Sequence, residues 1–279
     1  MKKLFLLHFV FLTIAFNSLA QDSASEGNGY RLVWSDEFDY AGPPDPVKWT
    51  FEHGFVRNME LQWYQPDNAW VEAGVMRITA RRERKANPAY NDGSADWREN
   101  RPYAEYTSAA VVTTGMHQWL YGRFEIRARI PAVKGSWPAI WFRGDKTHRP
   151  WPLCGEIDLM EYYRIDDEPT LLANACWGDG VWDSSYWKVS GFAEKDDAWE
   201  EEFHIWRMEW TEDYIRLYVD DMLLNEIDVT KTLNPDGVNP FRLPMHMLIN
   251  LAVGRPGESP DDTPFPLYYD IDYVRVYQK

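Results

Sequence analysis

The sequence predicts an all-β protein, with short antiparallel strands in sheets that pack as a sandwich or close as a barrel. Three observations predict it. Apolar and polar residues alternate with period two along most of the chain after residue 30. Turn chemistry punctuates these runs, at Gly42-Pro43-Pro44, Asn91-Asp92-Gly93, Asn234-Pro235-Asp236-Gly237 and Arg255-Pro256-Gly257. A helical period is nearly absent, and residues 196–204 are the single short candidate. Roughly 250 residues fit one large all-β domain, without repeats or an appended module.

The chain opens MKKLFLLHFVFLTIAFNSLAQD, with two lysines, an apolar run over residues 4–16, then Ser18-Leu19-Ala20. A basic start, a short apolar stretch and small residues at a cut make residues 1–20 a secretory signal. The run is short for a membrane span and lacks a basic stop-transfer flank. No cysteine follows it to accept a lipid. The expectation is an exported protein, periplasmic or secreted, without a lipid anchor or membrane insertion. Residues 21–29 read as a polar linker and 30–279 as the domain.

Within the domain, residues 75–80, 123–130, 214–219 and 271–277 alternate as half-buried strands do. Residues 246–253 are almost wholly apolar, as in a strand covered on both faces. Trp34, Trp49, Trp206 and Trp210 sit in strand patterns and are expected in the core. Only two cysteines occur, Cys154 and Cys176. They either pair or lie as two small buried side chains; without a CxxC or Cys/His cluster they do not point to a metal.

Composition narrows the partners. The chain has 29 Lys and Arg against 44 Asp and Glu, a formal net charge of -15. Removing residues 1–20 takes away Lys2 and Lys3 and leaves -17. Such a field repels phosphate backbones and anionic lipid, which makes nucleic acid and membrane surfaces poor partners. Aromatics make up 16% of the residues, fifteen of them Trp, and their flat apolar faces with a polar tip suit sugar rings as well as cores. A neutral substrate fits best.

The chemistry concentrates in Trp151-Pro152-Leu153-Cys154-Gly155-Glu156-Ile157-Asp158-Leu159-Met160-Glu161-Tyr162-Tyr163. In a regular strand Glu156 and Asp158 share a face and Glu161 takes the other. The apolar pair Leu159-Met160, where alternation asks for one apolar residue, predicts a bulge that returns Glu161 to the first face. Four effective strand steps put the outer Cα atoms roughly 13 Å apart. Inward-leaning side chains then bring the two Glu carboxyls to roughly 5–6 Å, the separation of retaining glycosidases. Three anions this close cannot all ionise, so one Glu keeps its proton near neutrality.

Glu156-Ile157-Asp158-Leu159-Met160-Glu161 resembles the ExDxxE signature of glycoside hydrolase family 16, in its bulged, laminarinase-like form. Companion segments run in the family's order over the domain. They include Trp34-Ser35-Asp36-Glu37-Phe38, Asn58-Met59-Glu60-Leu61-Gln62-Trp63-Tyr64, Trp137-Pro138-Ala139-Ile140-Trp141 and Asp272-Tyr273-Val274-Arg275-Val276-Tyr277. The resemblance implies a β-jelly-roll sandwich of two antiparallel sheets, concanavalin A-like, with a concave substrate cleft. It implies Glu156 as nucleophile, Glu161 as general acid/base and Asp158 as the auxiliary that positions the nucleophile. No cofactor is implied for catalysis.

By the same resemblance Trp137, Trp141 and Trp151 are sugar platforms or cleft walls, and Asn58 and Glu60 bind sugar hydroxyls. Asn174 and Trp177, on the next strand, lie beside the carboxylates. The implied function is that of an exported, monomeric, retaining endo-β-glucanase acting on β-1,3-glucan or mixed β-1,3/1,4-glucan. The alternatives are a family 16 enzyme on agar or carrageenan, a transglycosylase, or a non-catalytic glucan-binding protein. The three carboxylates weigh against the last. Two departures stand out: Ala109-Ala110 replaces a frequent Gly-Arg, and Gly254-Arg255 replaces a Gly-Gly. Glu37, the Gly74 carbonyl and Asp272 match positions at which relatives hold a structural calcium ion.

Overall fold

The computed structural model describes residues 29–255 and 258–279; the signal at residues 1–20 and all but the last residue of the linker lie outside them. Two large antiparallel sheets dominate. One runs Met222–Asp228, Tyr214–Val219, His204–Trp210, Gly122–Arg129, Leu267–Gln278, Val75–Ala80 and Ala69–Glu72, with Arg31–Asp36 also paired to Leu267–Gln278. The other, the site sheet, runs Val181–Lys188, Glu168–Trp177, Glu156–Ile165, Ser136–Gly144, Met245–Val253, Ala110–Val112 and Thr50–Phe51. This is the jelly-roll sandwich the resemblance implied.

The core lies between the sheets. Gly122–Arg129 points Phe124, Ile126 and Ala128 inward, while the site sheet answers with Ile140, Phe142 and Ile157. Phe124 meets Phe142 edge to face at 4.9 Å. Each such ring, fully buried, contributes about 1.5–3 kcal/mol. Met245–Val253 is buried at all nine positions, because its outer face is covered as well as its inner one. Trp49, Trp206 and Trp210 are fully buried, and Trp34 packs partly buried against the same core.

Three expectations need correction or completion. The helix read at 196–204 is not there: a single helical turn occupies Ser190–Ala193, a 3-10 turn Trp199–Glu201, and His204 already starts a strand. The His204 ring, bonded to Asp220 and to the Trp199 carbonyl, fixes that boundary. Cys154 and Cys176 are buried free thiols, so the reading as two small core side chains holds. The residues matched to calcium are engaged otherwise. Arg275 grips both Glu37 oxygens at 2.7–3.3 Å, and Arg127 donates to Asp272 at 2.6 Å. Gly74, at φ +80°, turns the chain between Ala69–Glu72 and Val75–Ala80. Among the described residues no three His, Cys, Asp or Glu side chains converge on a metal position, and nothing in the structure supports the calcium expectation.

Gly155 enters the carboxylate strand in the left-handed region, at φ +78°. A Cβ there would approach Met245 Cε and Pro240 Cβ at 2.8 Å. Gly155→Ala is expected to lower the unfolding free energy by about 2–4 kcal/mol, the sum of left-handed backbone strain and overpacking. Urea denaturation measures it, and an unchanged midpoint would contradict the close packing behind Glu156.

Candidate active site

The bulge sits where the sequence placed it. Asp158 pairs with Asn174 and Glu161 with Leu172, three steps along one strand against two along the other. On the other side Trp141 faces Asp158 and Ile140 faces Met160, so Leu159 is the extra residue. Leu159 and Met160 both turn into the core, fully buried. Glu156, Asp158 and Glu161 therefore line one cleft on the open face of the sheet.

Each carboxylate has its own partners. Trp151 Nε1 donates to Glu156 at 3.0 Å, and Trp137 Nε1 donates to Glu161 at 2.7 Å. Asn174 Nδ2 lies 3.5 Å from both an Asp158 and a Glu161 oxygen, which bridges the strands at the bulge. Asp158 is the most enclosed, at 6% exposure.

Burial raises all three pKa values, but the neighbours differ. For Glu156 burial is opposed by Arg143, by the Trp151 indole and by Arg57. Asp158 is pushed well above its ordinary range by burial and then by the charges of Glu156 and Glu161, with only Asn174 opposing. Glu161 is pushed up to about 7 by burial, against the Trp137 hydrogen bond. Glu156 thus has two cations, Arg143 and Arg57, supporting its negative charge, against Arg255 alone for Glu161. Glu161 keeps a proton close to neutrality, and Asp158 keeps one between them.

The carboxylates stand where two lobes of the cleft meet. The larger, about 710 Å³, extends past Tyr163, Trp182, Tyr186 and Arg255. The smaller, about 290 Å³, extends past Arg57, Trp141, Arg143 and Asn250. Trp137, Trp151 and Asn58 line both. Asn58 and Met59 are left-handed, at φ 55° and 52°, a conformation costly for Met and common where a loop serves a site. Gln62, accepting from the Val253 amide, and Tyr64, bonded to Asn250, anchor that loop to the sheet.

The other residues named from sequence fall unevenly. Glu60 is buried, bonded to Gln62 and Asn58, so it supports the lobe more than it faces it. Trp141 is buried too, its Nε1 donating to Asn250 at 2.7 Å, and offers little free face to a sugar. Trp177 does not line either lobe; it packs edge-on against Phe241 at 6.0 Å. Trp182, Tyr186 and Arg255 were missed. Trp182-x-Ser184-x-Tyr186 is one face of the strand Val181–Lys188, and that period-two pattern was the available signal. Arg255, at the departure from Gly-Gly, lies 4.1 Å from the Tyr163 ring centre and so turns a loop residue into a cleft wall.

Residues 57–275 match the sequence profile of glycosyl hydrolases family 16. The chain is 36% identical over 282 residues to the beta-glucanase of Rhodothermus marinus, covering 95% of this chain and 91% of that one. It spans 34% and 38% of two further, longer relatives. Among solved structures, the laminarinase catalytic domain of Thermotoga maritima superposes with a TM-score of 0.74 at 34% identity, covering 90% and 98% of the two chains. A structure from work on endo-acting O-glycanases, with which human gut microbiota initiate mucin breakdown, gives 0.81 at 34%, covering 91% and 92%.

The raised Glu161 carboxyl makes a stability prediction. A carboxyl at about 7 in the fold, against 4.5 ordinarily, favours the protonated native state. Its contribution is complete below the ordinary value and is lost as pH rises through 7. Glu161→Gln cannot ionise, so its melting temperature should pull ahead of wild type progressively between about pH 5 and 8. A gap that stays constant over this range would refute the raised value.

Proposed function

The chain belongs to glycosyl hydrolases family 16, and from there we propose that it is an endo-acting glycoside hydrolase that cleaves β-1,3-glucan or mixed-linkage β-1,3/1,4-glucan with retention of configuration. The observation that carries the reading is the Leu159 bulge, which sets Glu156 and Glu161 on one face. Burial raises both, but Arg143 and Arg57 oppose the rise at Glu156, while Glu161 is held at about 7. The beta-glucanase and laminarinase relatives support the substrate class.

Glu161 donates its proton to the leaving glycosidic oxygen while the Glu156 carboxylate attacks the anomeric carbon. A glycosyl ester on Glu156 results and the aglycone leaves as an alcohol. Glu161, now ionised, takes a proton from water, which attacks the same carbon and releases Glu156. Asp158, protonated beside the nucleophile, shares a proton with it and steadies its position. Trp137 and Trp151 hold the two Glu oxygens and line both lobes at the point of cleavage.

We also propose that residues 1–20 direct export. The amino terminus of the protein recovered outside the cytoplasm reads this out: Gln21 is expected, and Met1 would overturn it. A second substrate reading, an endo-acting O-glycanase, is favoured by one observation, the TM-score of 0.81 against 0.74. Product profiles on laminarin, barley β-glucan and mucin O-glycans separate the two. Reducing ends from either glucan support the first reading, and reducing ends from mucin glycans alone replace it with the second.

Two outcomes test the mechanism. NMR of early products should show the β-anomer first; the α-anomer would exclude double displacement. Glu156→Ala should lower turnover roughly 10⁴-fold or more, and added azide should restore part of it as an α-configured glycosyl azide. A β-configured azide from this variant would exchange the roles of the two glutamates.

A further inference from the structure

The smaller lobe holds a guanidinium that makes no ion pair, although its field reaches Glu156. Arg143 lies on Ser136–Gly144, on the same face as Trp137 and Trp141, with its Cα opposite that of Glu156. It is 9% exposed, and its Nε is enclosed without a hydrogen-bond partner. Among the described residues no carboxylate lies within ion-pair distance of it, whereas Arg57 beside it is paired with Glu52. Both guanidiniums lie against Trp141, at 5.0 and 5.3 Å from the ring centre. His246, across the ladder, adds no negative charge.

Of the other polar groups of the lobe, Lys146 is exposed at its rim, while Asn250 and Glu60 are engaged inside the protein. Asn250 accepts from Trp141 and donates to Tyr64, and Glu60 is bonded to Gln62 and Asn58. A buried, unpaired guanidinium is costly unless something supplies acceptors. Its planar fork matches two adjacent oxygens.

We propose that Arg143 is the substrate-binding donor of this lobe, its guanidinium taking two acceptor oxygens of the glycan unit beyond Glu156, from hydroxyls or from an ester sulfate. The proposal rests on the family 16 reading of the cleft. It makes Arg143 a specificity-determining residue, since only chains long enough to reach the lobe gain from it.

Calorimetry in a Glu156→Gln background tests it, with Arg143→Met and Arg143→Lys added singly. The probes are laminari-oligosaccharides of two to six units and keratan sulfate fragments before and after desulfation. Arg143→Met should weaken the long fragments about tenfold or more and leave the two-unit fragment unchanged. Its melting temperature should not fall, because an unpaired buried charge has been removed. A larger loss on the sulfated fragments, partly restored by Arg143→Lys, identifies the ester sulfate. An equal loss on both kinds, not restored by Lys, identifies the hydroxyls. Unchanged affinity at every length overturns the proposal. The field of Arg143 at Glu156 should also displace the acid limb of the pH profile in otherwise wild-type enzyme. A loss of kcat/KM equal at every length overturns the proposal, because Arg143 would then act only through Glu156. Failure to bind any probe overturns it as well. Absence of cleavage by wild type, with binding retained, would instead count against the hydrolase reading alone.

Discussion

One residue inserted into one strand governs this site. Side chains alternate faces along a strand, so without Leu159 the Glu161 carboxyl would point into the core, where an unpaired charge costs several kcal/mol. With Leu159 and Met160 both turned inward, Glu161 rejoins Glu156 and Asp158 on the open face. The bulge spends one inter-strand pairing to do this, and Asn174 restores a polar bridge there. Three carboxyls then share one enclosure. Two of them ionised at roughly 5–6 Å would repel by about 3 kcal/mol at an effective dielectric of about 20. Protons therefore stay, and the question becomes which group gives one up.

The neighbours answer it asymmetrically. The smaller lobe brings Arg143 and Arg57 toward Glu156, so that carboxylate carries charge most easily. Asp158 has no cation among its partners and faces two other acids. Glu161 lies between these cases: burial raises it, while Trp137 and Arg255 draw it down to about 7. The same cations that lie along the cleft wall thus separate nucleophile from acid, so substrate recognition and acid–base poise share side chains.

Elsewhere the acidic chain neutralises itself in pairs. Arg77 and Arg129 both bind Asp270, Arg127 binds Asp272 and Arg275 binds Glu37, all on or beside Leu267–Gln278. These arginines stand where a cation was expected from the resemblance. They cross-link neighbouring strands of the sheet that backs the core, and so hold the platform on which the site sheet rests.

Much of this was legible from local pattern. Period-two alternation located Val75–Ala80 and Tyr214–Val219 to the residue, because a half-buried strand leaves that signature wherever it lies. The Leu159-Met160 doublet announced the bulge for the same reason. Tertiary structure decided what depends on which surfaces meet. Trp177 looks alike in sequence to the cleft tryptophans, yet Phe241 claims it from a distant segment, and Trp141 lines the smaller lobe while its indole is tied to Asn250. Trp182, Tyr186 and Arg255 became cleft walls only because Val181–Lys188 and the end of Met245–Val253 were brought to either side of the carboxylate strand, each separated from it by one strand. Strand identity and the grouping of Glu156, Asp158 and Glu161 on one face are properties of neighbours along the chain, so the sequence determined them. Exposure, charge partners and the unpaired state of Arg143 are properties of neighbours in space, and only the packing of the two sheets decided those.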